Sequence, residues 1–221
     1  MNKQIVILFA VGSCGSFLLG LFAKYFDATA GAVIDLEHGH CHDQGTGDWN
    51  MTDLVGQSLE YIVTDKLLYA THDLDLPKIR QHAAKIIMID YADDDVYLIS
   101  RFRTLKAHTH STQWTREEYD RLAGPDWEPY DPNNILQSPR IQKELIEFQE
   151  VHTRNWIATV DRSQCDHEIE FKTIMGFNDT DLNQQVADIL QMQVRPELQG
   201  FIDEYRQTNY QIYGLTPKTD L

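Results

Sequence analysis

The sequence predicts an α/β protein of three layers, α/β/α, around a mainly parallel sheet, with a helical C-terminal half. Two apolar runs of strand length, Ile5 to Val11 and Ile86 to Ile89, predict strands buried on both faces. Each run leads into a helix-forming segment, and that alternation is the pattern of a doubly wound sheet. No stretch rich in Pro, Gly or Ser divides the 221 residues, 42% of them apolar, so 1–221 reads as a single domain with one sizeable core.

The first strand flows into Gly12-Ser13-Cys14-Gly15-Ser16 and then a helix start, Phe17 to Ala23. This grammar builds a phosphate cradle: glycines let the backbone turn tightly, and the N–H groups at the helix N-terminus point at an anion. The full pattern G-x-x-x-x-G-K-[ST] is absent, and no lysine lies in the turn. Because Ile5 to Ala23 carries no charge, two rival readings arise: a secretory signal with Lys3 as its basic end and Cys14 lipid-modified, or a membrane span. The apolar stretch before the glycines is short for a signal and the Gly-Ser cluster interrupts a span, so the strand-turn-helix reading is preferred.

Gly31 to Gly56 reads as a long connection with a little strand near Ala32 to Ile34. Lys66 to Thr71 predicts a short strand ending at His72, and a polar segment through Pro77 leads to a helical turn over Lys78 to Ala83. The Lys85 to Asp90 strand precedes a helix from Asp93 to Ala107. Beyond it, Thr115-Arg116-Glu117-Glu118 resembles a capping box whose helix stops at Gly124 and Pro125, and Pro125 to Asn134 is a loop. A longer helix starts at Ser138-Pro139 and runs toward Ala158 with apolar Ile141, Leu145, Ile146 and Phe148. Glu168 to Phe171 predicts a late strand, followed by closing helices over Asp181 to Gln193 and from Pro196 to about Tyr213.

The net charge of −15, from 34 acidic and 19 basic residues, argues against a sequence-independent grip on nucleic acid or an anionic bilayer. Neither is expected as a partner, although an acidic protein can bind an anion locally. Cys14, Cys41 and Cys165 are widely spaced and odd in number, which predicts reduced thiols and a cytoplasmic location.

Order and spacing then point to a family. The run Tyr69-Ala70-Thr71-His72-Asp73-Leu74-Asp75-Leu76-Pro77, the strand Lys85 to Asp90 and the following Asp93-Asp94-Asp95-Val96 resemble the sulfotransferase family. The Gly12 to Phe17 turn is similar to that family's N-terminal loop for the 5′-phosphosulfate, and Glu168 to Leu190 to its late strand and helix. The resemblance covers about half the chain and leaves 31–61 and 107–161 unmatched. It implies a P-loop nucleoside triphosphate hydrolase-like fold. It also implies transfer of a sulfuryl group from 3′-phosphoadenosine 5′-phosphosulfate to a hydroxyl or amine of a small-molecule or carbohydrate acceptor. On this resemblance His72 is the general base, and Gly12, Ser13, Cys14, Gly15, Ser16 and Phe17 hold the donor. The chain departs from the pattern where Ser13 and Ala70 stand at lysine positions, Asp90 at the 3′-phosphate arginine and Leu98 at its serine. Ser100, Arg101, Arg103 and Lys106 follow on the same helix; Ser100 with Arg101 is the candidate substitute contact for that phosphate, and an exposed face of bases paired with neighbouring acids is the plainer reading of the same residues. A non-catalytic nucleotide- or anion-binding protein that keeps the fold but has lost the donor-site cations is the alternative. A kinase relative is poorly equipped, without a loop lysine.

Glu37-His38-Gly39-His40-Cys41-His42-Asp43 forms a separate constellation. In an extended segment alternate residues share a face, so His38, His40 and His42 could converge on Zn²⁺ or another borderline metal. A His-rich surface loop without fixed geometry is the plainer reading of the same residues. Trp114, Trp127, Tyr130 and Trp156 are candidates for an acceptor pocket, and core packing is their ordinary role.

Overall fold

In the computed structural model the described residues are 4–10, 14–26, 32–35, 40–43, 68–71, 74–110 and 139–213. Strands β1 (Gln4–Leu8), β4 (Leu68–Thr71), β5 (Ala83–Asp90) and β6 (His167–Glu170) form one sheet in the order β4-β1-β5-β6, with every neighbouring pair parallel. Strands β2 (Ala32–Asp35) and β3 (His40–Asp43) pair antiparallel as a separate two-stranded hairpin. The helices are α1 (Gly15–Tyr25), α2 (Leu76–His82), α3 (Asp93–His110), α4 (Pro139–Thr159), α5 (Phe171–Met175), α6 (Leu182–Leu190) and α7 (Gln199–Tyr213).

Burial explains why β1 and β5 read as continuous apolar runs. Along β1, Ile7 and Phe9 enter one core cluster while Val6 and Leu8 enter another, and β5 divides Ile87 and Ile89 from Ile86 and Met88 in the same way. The first cluster is closed by α1 and by residues of α5, α6 and α7; the second by Leu76 and Ile79 of α2 and by Val160 after α4. Both faces of the sheet are therefore covered. The connection from β1 to β4 moves one way along the sheet and uses the α1 face. Those from β4 to β5 and from β5 to β6 move the other way; α2 packs on the opposite face, while Leu98 and Ile99 of α3 join the cluster that holds α1.

The uncharged segment that invited a membrane reading holds the strand β1 and the core helix α1. Phe17, Leu18, Leu19, Leu21, Phe22 and Ala23 are fully buried, so α1 is apolar all round because protein surrounds it. Its 11 residues make a helix roughly 16 Å long. Among the described residues no helix is long and apolar enough to cross a membrane.

Local chemistry fixes the helix ends. The Asp181 carboxylate accepts from the Asn183 and Gln184 amides at the start of α6. Gly176 ends α5 at φ 74°, a left-handed cap that favours glycine, and the Arg206 guanidinium lies against it, donating to the Thr173 and Ile174 carbonyls. Asp166 accepts both from the Ile86 amide and from Arg80, tying β6 to β5 and α2.

Most expected elements form close to their predicted ends, and the differences have local causes. β3 was expected to be connection; its polar sequence His40-Cys41-His42-Asp43 gains strand geometry from pairing with β2. The late strand stops at Glu170 because Phe171 turns inward to begin α5. The expected helix after Thr115 and the loop Pro125 to Asn134 lie outside the described residues.

Candidate functional site

In an open parallel sheet, ligands bind beyond the strand C-termini at the point where the strand order reverses. Here that switch point lies between β1 and β5. The chain leaves β1 through Phe9 and Ala10 toward α1, and leaves β5 through Tyr91 and Ala92 toward α3.

Tyr91 bridges the two exits. Its hydroxyl oxygen accepts from the Ala10 amide at 2.9 Å, and its buried ring packs edge-on to Trp156 and at a tilt to Phe171, each at 6.1 Å between centroids. Trp156 is therefore a packing residue beneath this edge. Trp114, Trp127 and Tyr130 lie outside the described residues.

At the start of α1, Cys14 is the N-cap at φ 60° and ψ 9°, a left-handed conformation that costs a non-glycine residue about 1–2 kcal/mol. The Cys14 side chain makes no capping bond and approaches the Met175 sulfur at 3.6 Å. The first turn of α1 holds no acidic residue. Gly15 is required for a definite reason: a Cβ there would lie 2.2 Å from the Phe9 ring, closer than such contacts allow. Phe17 stacks on Tyr205 at 3.7 Å between centroids and is fully buried, which anchors the first turn of α1 in the core.

The start of α3 has the opposite character. Asp93, Asp94 and Asp95 fill its first turn. The Asp95 Oδ2 accepts from the Ala92 amide at 2.8 Å, while Oδ1 is buried without a hydrogen-bond partner. Burial raises the Asp95 pKa to about 6; the Ala92 amide and Lys172 counter that shift, and Asp94 and Asp90 add to it. Lys172 donates to Asp94 at 2.6 Å, which lowers the carboxyl pKa and raises that of the amine. Arg154 of α4 reaches Asp93 at 2.9 Å. Asp90 accepts from the Tyr91 amide and meets Arg162 at 2.5 Å, with Glu168 at 3.8 Å on the other arm of that guanidinium.

Of the residues expected at the site, Cys14, Gly15, Ser16 and Phe17 begin α1, while Ser100, fully buried, and Arg101, half-buried, lie on α3. Gly12, Ser13 and His72 lie outside the described residues, as does His38; His40 and His42 belong to β3. The side chains of Arg103 and Lys106 are likewise outside them. Sequence reasoning missed Tyr91, Asp95, Arg162 and Lys172. For Asp95 a signal existed in its place three residues after Ala92, where a carboxylate reaches back to a helix's first amide.

The fold and this edge define an open parallel α/β protein with a candidate anion seat at its switch point. No family model, no curated protein and no solved structure matches the chain.

Proposed function

We propose that this protein is a sulfotransferase-like protein of P-loop type. It would transfer a sulfuryl group from 3′-phosphoadenosine 5′-phosphosulfate to a hydroxyl or amine on a small-molecule or carbohydrate acceptor. The observation that carries the reading is the start of α1, where a helix leaves the sheet's switch point with no acidic first turn and no side-chain cap. In this reading the amides of Gly15, Ser16 and Phe17, with the turn at Gly12 and Ser13, receive the 5′-phosphosulfate. His72 takes the acceptor's proton as the acceptor atom bonds to sulfur. The bond from sulfur to the phosphate oxygen breaks, and its electron pair leaves with adenosine 3′,5′-bisphosphate. Ser100 and Arg101 are the proposed contacts for the 3′-phosphate.

One observation favours a second reading, a non-catalytic nucleotide- or anion-binding protein of the same fold. Asp90 stands where the family has its phosphate-binding arginine, and Asp93, Asp94 and Asp95 follow it. A thermal-shift comparison of adenosine 3′,5′-bisphosphate, ATP and inorganic sulfate separates the two, because a ligand that binds the folded state raises apparent stability by mass action. Selective stabilisation by the bisphosphate supports the transferase; equal responses to all three support the binding protein.

A further inference from the structure

The function proposed above leaves Asp95 unused. Its side chain is 1% exposed at the start of α3, with Oδ2 on the Ala92 amide and Oδ1 buried without a hydrogen-bond partner. A neutral acid tolerates a single bond; a buried carboxylate so placed falls far short of the solvation it had in water. The charged groups facing it are Lys172 of α5, which favours its ionisation, and Asp94 of α3 and Asp90 of β5, which oppose it. Arg162 is engaged with Asp90 and Glu168, and Arg154 with Asp93. Among the described residues Lys172 is therefore the cation left to serve Asp95. Its ammonium now donates to Asp94 at 2.6 Å; that bond, and then the Asp95 charge, raise the amine's pKa.

We infer that Asp95 and Lys172 form a proton-operated latch between α3 and α5: the ammonium rests on Asp94 while Asp95 is neutral and transfers to Asp95 Oδ1 when it ionises. The exchange is driven by burial. An ionised Asp95 is a buried charge that one amide does not satisfy, whereas the Asp94 side chain is 54% exposed and returns to water at little cost. Burial raises the Asp95 pKa to about 6, so the latch works near that pH. Its movement has a route to the α1 start. The helix α5 is five residues long, and Met175 at its end meets the Cys14 sulfur at 3.6 Å.

Crystal structures of the full chain at about pH 4.5 and about pH 8, either side of the expected midpoint, test the exchange directly. Nζ of Lys172 should bond Asp94 in the first and Asp95 Oδ1 in the second. In an NMR titration the Asp95 Cγ signal should show a midpoint of about 6. The Lys172 Cε signal and the Met175 and Cys14 amides should move with that midpoint, and Asp95→Asn should abolish the shared inflection. Lys172→Met should raise the Asp95 midpoint by about one unit, a tenfold gain in proton affinity. The proposal is overturned by Nζ keeping one partner at both pH values, by an Asp95 midpoint in the ordinary carboxylate range, or by a Lys172 inflection that survives Asp95→Asn.

Discussion

Two helices leave adjoining strands at the same edge of the sheet, and their first turns are chemical opposites. The start of α3 supplies its own anions: Asp95 takes the Ala92 amide, while Asp93 and Asp94 face the helix's positive end and recruit Arg154 and Lys172. The start of α1 carries no charge, and its N-cap cysteine makes no side-chain capping hydrogen bond. Helix N-termini attract negative charge, so a first turn already holding three carboxylates repels an incoming anion, whereas one holding none can receive it. Under the proposed function an external anion goes to α1, and the carboxylates of α3 hold the edge together through Arg154 and Lys172.

The largest expected effect falls on the core beneath the α1 turn. Phe17→Ala should lose about 3–5 kcal/mol in denaturant unfolding, because the ring is fully buried and stacked on Tyr205; a loss under 1 kcal/mol would mean that the turn does not rest on this stack. The next effect belongs to α3. An unfolded Asp95 ionises near 3.8, but the folded protein keeps its proton up to about pH 6. Between these values unfolding releases a proton, so stability falls as pH rises through the window and then levels off. Asp95→Asn keeps an acceptor for the Ala92 amide and removes the titration. It should flatten this fall and leave the variant about 2–3 kcal/mol more stable at pH 7.5, measured by thermal unfolding across pH. An unchanged pH profile would remove Asp95 as its source.

Gly15→Ala sharpens the comparison at α1, since the added methyl meets the Phe9 ring. A loss of about 1–3 kcal/mol is expected from overpacking, and a neutral result would show that the ring moves aside freely. Ser16→Asp makes the α1 start resemble that of α3. It should add about 0.3–1 kcal/mol of stability through the helix dipole. In calorimetric titration it should also weaken adenosine 3′,5′-bisphosphate at least about tenfold, because a charge-assisted hydrogen-bond site is taken.

What the sequence revealed follows from how each element is buried. The strands β1 and β5 were legible because burial on both faces leaves a continuous apolar signature, and α6 because Asp181 announces its start. The β3 strand was not, since His40-Cys41-His42-Asp43 lacks the apolar alternation that marks a half-buried strand. The five residues of α5 are too few to display a helical period. At the site, the Gly-Ser turn entering α1 could be read from adjacent residues. The ion pairs could not: Lys172 meets Asp94 across 78 positions, and such partners are fixed by sheet order, which local pattern does not encode.

Under the proposed function the two helix starts divide the work: α1 receives the external anion, and α3 carries carboxylates of its own. Amide chemical shifts followed by NMR during titration with adenosine 3′,5′-bisphosphate test it most directly. Shifts should concentrate at the amides of Gly15, Ser16 and Phe17, with those of Ala92 to Asp95 little changed. Saturating ligand that moves Ala92 to Asp95 and leaves the α1 turn untouched would contradict it.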